Sequence, residues 1–283
     1  FAAGFGSIYF NEILGKVFSN RYRGRVFAQR QFAAGAGALI SGVCAGIILE
    51  YTPAPQSFGY LFMFSAFVMI LGVVPYALIQ EPIKENITEK EKYFHSFLLK
   101  SFALLRSDKA LRRQIRTYLL AYSHLFSLPF IILQAESALH LGGVQIGYLL
   151  TAQVVGGMLS NVIWGKLSSN GKIRLIIMVS FLAYIAANAL ALFASQLWHY
   201  ALLFFLIGAA MDGMRLAFSN NILIIAPEHL RPVYIALQSN LTSIGLFFAI
   251  PGALILENFG YEAVYGFTLF LLAAGMVSAR NVD

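Results

Sequence analysis

Asp212 and Arg215 are the residues whose types and spacing point most directly to chemistry. They stand three apart, so on a helix they share a face. The stretch around them, 200–227, is otherwise apolar, which places two opposite charges near the middle of a membrane-length segment. A charge at the bilayer centre costs about 2.5–3.5 kcal/mol on insertion scales. Pairing lowers that cost, and a water-lined cavity lowers it further. Two readings stay open: a substrate or proton site, and a structural ion pair that fixes helix packing. In the first, Asp212 is the titratable member. Arg215 keeps its proton throughout and is a fixed positive charge that holds Asp212 ionised or attracts an anionic group.

Other polar groups sit in apolar surroundings. Asn11 and Glu12 interrupt the stretch 1–18. Glu12 is either a coupling carboxylate or a salt-bridge partner of Lys16, its i+4 neighbour. Tyr118 and Tyr122 share a helix face, whereas Tyr122 and His124 are about 200° apart on an α-helix and should not both face a cavity centrally. Pro129 is expected to kink that helix and free a carbonyl. Gln153, Asn220 and Asn221, with Asn161, Gln238 and Asn240, can hydrogen-bond a ligand or link helices. Arg30 should snorkel. Gly42 with Gly46, and Gly143 with Gly147, have the spacing that lets helices approach closely.

The elements that carry these residues follow from composition. Of 283 residues, 59% are hydrophobic and 12% charged, and the mean hydropathy is +0.71. Soluble domains carry about 25% charge, so a disordered chain is excluded and a soluble enzyme is disfavoured. An all-α polytopic membrane protein fits. Charge-free stretches at 31–49, 59–80, 117–135, 143–165, 175–198, 232–256 and 263–279, with the charge-broken 1–18 and 200–227, predict nine transmembrane helices. Alternate loops hold Arg21, Arg23 and Arg25, then Lys84 through Arg116, then Lys166, Lys172 and Arg174, then Arg231. The loops between them, near 50–58, 138–143, 196–199 and 257–262, hold no Lys or Arg. By the positive-inside rule the basic loops and the C-terminus are cytoplasmic, in a plasma or bacterial inner membrane. The net charge of +7 is then a topology signal, and no nucleic-acid motif competes with it. The chain would start outside, mid-helix, as a piece lacking the front of a larger protein.

An internal repeat relates Ile13–Tyr60 to Ile222–Tyr261. Arg23 pairs with Arg231, Ala28 with Ala236, Glu50 with Glu257, and Gly59-Tyr60 with Gly260-Tyr261. The copies lie six helices apart in the same orientation, as in transporters with parallel repeats. Polarity also recurs every third helix: the first, fourth and seventh carry Asn11 and Glu12, then Tyr118, Tyr122 and His124, then Asp212, Arg215, Asn220 and Asn221. Cavity-facing helices explain the polar ones and lipid exposure the plain ones.

With these features the chain resembles the major facilitator superfamily. Asn20-Arg21-Tyr22-Arg23-Gly24-Arg25 looks like its loop between helices four and five. Ala226-Pro227-Glu228-His229-Leu230-Arg231-Pro232 looks like the loop between ten and eleven. Gly165-Lys166-Leu167-Ser168-Ser169-Asn170-Gly171-Lys172-Ile173-Arg174 resembles the gating motif between eight and nine, although Ser169 and Asn170 replace the usual Asp and Arg. The resemblance implies a bundle of parallel six-helix halves with the first three helices missing. Residues 1–80 would be the second three-helix unit of the N-terminal half, 81–115 a cytoplasmic linker with an amphipathic helix, and 116–283 the C-terminal half. It implies gating roles for Gly165, Gly171, Lys172, Arg174, Arg23, Arg231 and Pro129.

The chain carries no HExxH, P-loop or GxSxG motif, and its single Cys44 excludes a disulfide framework or multi-thiolate metal site. The expectation is a monomeric secondary or facilitative transporter of a small solute working by alternating access. Protons are the candidate coupling ion, and no metal, cofactor, nucleic-acid partner or enzymatic activity is expected. The alternatives are a non-transporting receptor or scaffold on the same fold and, less in keeping with the absent motifs, a membrane-embedded enzyme.

Overall fold

In lipid every backbone polar group needs an internal partner, which leaves helices as the economical solution for such a chain. The structure, a computed structural model, describes residues 10, 13–53, 55–78, 94–141, 143–280 and 282. Asn11, Glu12 and the stretch 79–93 lie outside the described residues, as do the side chains of 94–100. The helices are α1 (Asn20–Tyr51), α2 (Gln56–Ala77), α3 (Phe94–Ser107), α4 (Lys109–Ala121), α5 (Leu128–Leu139), α6 (Gly143–Ser169), α7 (Ile173–Ala191), α8 (Leu197–Ile225), α9 (Arg231–Thr242) and α10 (Ala249–Ala279). Three short 3-10 segments, Tyr122–Phe126, Glu228–Leu230 and Ser243–Phe248, join some of them.

Six described stretches are long and apolar enough to cross a membrane: Gln56–Val74, Lys109–Leu139, Val144–Ser169, Ile173–Ala191, Leu197–Ile225 and Glu228–Ala279. The last has 52 residues. As one helix it would run about 78 Å, more than twice the hydrocarbon core of about 30 Å. It breaks at Gly260, where φ is 80°, a left-handed conformation that suits glycine.

Local signals set the helix ends. Asp108 accepts from the backbone N–H groups of Ala110 and Leu111 and so caps α4. That helix therefore starts at Lys109, ahead of the start at 117 expected from hydropathy. α6 ends in a Schellman motif. Gly171 takes φ +72°, its N–H donates to Ser168 O at 3.0 Å, and Lys172 N–H donates to Leu167 O at 2.9 Å.

Glycine lets α6 and α8 cross at close range, though not at the glycines expected. A Cβ at Gly208 would sit 1.8 Å from Gln153 O, and one at Gly156 2.1 Å from Phe205 O. Gly42 and Gly147 have nothing within 4 Å. Gly42 and Gly147 therefore face open space despite their four-residue spacing, and the surroundings of Gly46 and Gly143 lie outside the described residues.

Packing against α1 explains the rest of the arrangement. α1 runs antiparallel to α6 through the contacts Gly24–Ser168, Ala28–Gly165 and Gly35–Met158. Beyond Gly35, Ile40, Ile47, Val144 and Tyr148 are exposed. The close small-residue contacts between α1 and α6 thus lie toward the end holding Arg23, Lys166 and Arg231. α2 packs mainly on α1 and leaves Phe62, Met63 and Met69 exposed, as a lipid-facing helix should.

The repeat-related arginines converge. Arg23, 2% exposed, donates through Nη2 to Gly15 O at 3.0 Å and Phe18 O at 3.1 Å. A Cβ at Gly15 would lie 3.6 Å from Arg231 Nη1. The glycine pair does not match in conformation: Gly59 lies inside helix α2, whereas Gly260 interrupts one.

Candidate functional site

The first half of the site is a hydrogen-bond chain across three helices. Gln31 on α1 donates from Nε2 to Asn161 Oδ1 on α6 at 2.9 Å and to the backbone carbonyl of Asp212 on α8 at 3.0 Å. Asn161 donates from Nδ2 to Asp212 Oδ2 at 2.7 Å and to Gly157 O at 2.8 Å. A Cβ at Gly157 would stand 3.0 Å from Asp212 Oδ2, so glycine makes room for the carboxylate against α6. Gln31 and Asn161 are buried, where such groups need partners, and each supplies the other's.

The second half is a pocket. Arg215 Nη1 lies 3.7 Å from Asp212 Oδ1. Asp212 turns toward the α1–α6 contact and is 17% exposed, whereas the Arg215 side chain is 57% exposed and lines a pocket with Tyr118, Tyr122, His124, Tyr184 and Met214. The pair expected on one helix face is present, but its members serve different surroundings. The pocket offers 70 Å³ to water centres, room for several waters at about 10–15 Å³ each.

Aromatic stacking builds the pocket walls. Tyr118 stacks on Phe218 with ring centroids 4.3 Å apart, and His124 stacks on Tyr184 at 4.4 Å. Tyr118 and Tyr122 are 5.2 Å apart on a shared face, as their spacing requires. His124 also lines the pocket, contrary to the α-helical expectation. The reason is the 3-10 segment Tyr122–Phe126: at three residues per turn the short-way separation of the two side chains falls from about 160° to about 120°. Pro129 needs the matching correction. It stands in the first turn of α5, where its missing N–H is no loss, and the interruption precedes it.

The remaining expected residues engage in helix links. Asn220 donates to Ser168 Oγ at 3.0 Å, and Asn221 to Gln114 Oε1 at 2.9 Å. Gln114 in turn donates to Phe218 O and Gln238 Oε1, joining α4, α8 and α9. Gln153 Nε2 meets Met211 Sδ at 3.1 Å. Arg30 is exposed and lies over the Phe10 ring, 4.3 Å from its centroid. Among the gating candidates, Gly165 abuts Ala28 and Gly171 ends α6, while Lys172 and Arg174 are exposed. Arg231 lies 3.6 Å from Glu228 Oε1.

Sequence reasoning missed Gln31, Gln114 and Tyr184. In the sequence Gln31 stands at the edge of the apolar stretch 31–49 and Gln114 falls within the linker 81–115. A single amide at a span's edge carries no periodic signal, and its role comes from partners more than a hundred residues away. Among the described residues no group of His, Cys, Asp and Glu could hold a metal ion.

A multi-span helical bundle whose charged and amide side chains meet inside it is one that membrane transport proteins share with other membrane proteins. The family model described as Major Facilitator Superfamily matches residues 117–281, more than half of the chain, and the chain belongs to that superfamily. No curated protein matches it. It is therefore an integral, multi-pass membrane protein of a transporter family, whose members move small solutes across a bilayer and are not enzymes.

Proposed function

We propose that the protein is a secondary transporter working by alternating access, with the α1–α6 contact as its cytoplasmic gate and the Arg215 pocket as its solute site. The observation that carries this reading is the continuity of the chain Gln31–Asn161–Asp212–Arg215. It joins the only described contact between α1 and α6 that is made of buried polar side chains to a charge facing the pocket. A solute that draws Arg215 away from Asp212 changes the partner set of the carboxylate that holds Asn161, and with it the gate.

In this reading residues 1–80 belong to an N-terminal half and 116–283 form the C-terminal half, nine helices in all, with the basic loops cytoplasmic. The present conformer is then closed at the cytoplasmic end, where Gly24 meets Ser168 and Ala28 meets Gly165. Proton coupling falls to Asp212, the titratable member of the pair. Gly165, Arg23 and Arg231 act in the gate through packing and capping, and Lys172 and Arg174 act as topology anchors. The protein functions as a monomer.

An uptake screen with the full-length protein in vesicles under a proton gradient tests this reading. Accumulation of a solute against its gradient, lost in Asp212→Asn while solute exchange persists, is the expected result. Solute binding with no passage under any gradient would leave the receptor reading in its place.

A further inference from the structure

Arg215 is under-partnered for its position. It lies about 27 Å along α8 from Leu197 and about 15 Å from Ile225, near the middle of a span. Its fork offers five N–H donors, yet its one ion contact among the described residues is the long one to Asp212 at 3.7 Å. Asp212 has a closer partner, Asn161, at 2.7 Å. More than half of the Arg215 side chain is open. A guanidinium left so in hydrocarbon is costly, so its open face meets water or a ligand anion.

A second, independent observation lies in the same pocket. His124 is 7% exposed, and its Nδ1 stands 2.8 Å from Ala121 O. A carbonyl only accepts, so Nδ1 carries the hydrogen and Nε2 is left with a lone pair. Nε2 is buried and has no hydrogen-bond partner, a state that costs free energy until a donor arrives. The surfaces between these two groups are flat or polarisable: Tyr118, Tyr122, Tyr184 and Met214. Aromatic faces and thioethers favour a planar ring.

We propose that the pocket binds a small aromatic carboxylate that also carries a hydrogen-bond donor. The carboxylate takes the Arg215 fork, the ring lies among the tyrosines and Met214, and the donor reaches His124 Nε2. This rests on the reading of the pocket as the solute site, and it names the class of solute.

The test is equilibrium binding to the purified full-length protein in detergent, by calorimetry and thermal shift, with no gradient present. The probes are 4-hydroxybenzoate, 3-hydroxybenzoate, benzoate, butyrate and 4-hydroxybenzylamine. A hydroxybenzoate should bind best, butyrate and the amine at least about tenfold more weakly, in line with loss of a charge-assisted contact. Arg215→Gln should remove the preference for anion over amine, and Arg215→Lys should retain part of it. His124→Phe keeps the stack on Tyr184 and should bring the hydroxybenzoates to parity with benzoate. Equal binding of the amine, or an unchanged preference in a folded Arg215→Gln or Arg215→Lys variant, overturns the proposal. Uptake of some other solute without hydroxybenzoate binding overturns this class alone, whereas binding without transport under any gradient overturns the transporter reading and leaves the site.

Discussion

Gln31 and Asn161, 130 residues apart in the chain, are joined by a 2.9 Å hydrogen bond between buried side chains, and Asn161 passes the link on to Asp212. The consequence is that one carboxylate serves both the contact between α1 and α6 and the charge that faces the pocket. Neither residue bears a charge itself, so the link tolerates a membrane interior better than a bridge of two ions would.

The Asp212–Arg215 pair separates a functional from a structural role by its mutant cycle. If the pair works in transport, Asp212→Asn and Arg215→Gln each abolish accumulation, and combining them restores nothing. If it only balances charge, the double variant regains transport, because removing both members leaves neither charge unpaired inside the membrane. We expect the double variant to fold with a thermal midpoint close to the parent's and to stay inactive in uptake assays.

The close crossing of α6 and α8 should be intolerant of a single methyl. Gly208→Ala places a carbon on the Gln153 carbonyl and should cost about 1–3 kcal/mol by overpacking, read as a lowered thermal midpoint in detergent. Gly147→Ala, at a glycine with nothing nearby, should leave the midpoint where it is. Equal effects would contradict the crossing.

These glycines show what was legible in the sequence. The helical, membrane-spanning character, six of the apolar spans and the Asp212–Arg215 spacing could be read from hydropathy and charge, because each depends on neighbours in the chain. Which glycine packs could not, since Gly147 and Gly208 differ only in what a distant helix brings beside them. The facing of His124 escaped for a related reason: a 3-10 segment in the middle of a span leaves no mark on hydropathy. The charge of Asp212 and the amide of Asn161 stand out in the sequence, but Gln31, which joins them across α1, does not.

Asp108 supports α4 from just outside the membrane-spanning segment. Burial works against its charge, but the Tyr234 hydroxyl, the amides of Leu111 and Ala110 and the nearby Arg112 outweigh it and hold the carboxyl below its ordinary value. A depressed carboxylate contributes its stability above the unfolded value, near pH 4, and loses it as pH falls through the folded value. Thermal midpoints should therefore be insensitive to Asp108 between neutral pH and about pH 5, and fall only in more acidic solution. Asp108→Ala should cost about 1 kcal/mol at neutral pH through the lost cap. Asp108→Asn should keep most of the cap and flatten the acid limb.

Orientation is open to direct labelling. In a Cys44→Ser background, Gln56→Cys and Ser195→Cys, both at exposed positions, should react with an impermeant thiol reagent applied to intact cells. Asn170→Cys, beside the α6 stop, should react only after the membrane is opened. Labelling of Asn170→Cys from outside would reverse the assigned topology.

The central claim is that α1 and α6 must part for the protein to work. A Cβ at Gly35 would lie 3.1 Å from Met158 Cβ, close to the span of about 3.5–4.5 Å that a disulfide bridges. Gly35→Cys with Met158→Cys, in the Cys44→Ser background, should therefore cross-link on mild oxidation. Solute uptake by the full-length protein is then measured before oxidation, after it, and after reduction. The predicted result is uptake that stops in the cross-linked protein and returns when the bond is reduced. Undiminished uptake with the cross-link complete would contradict it.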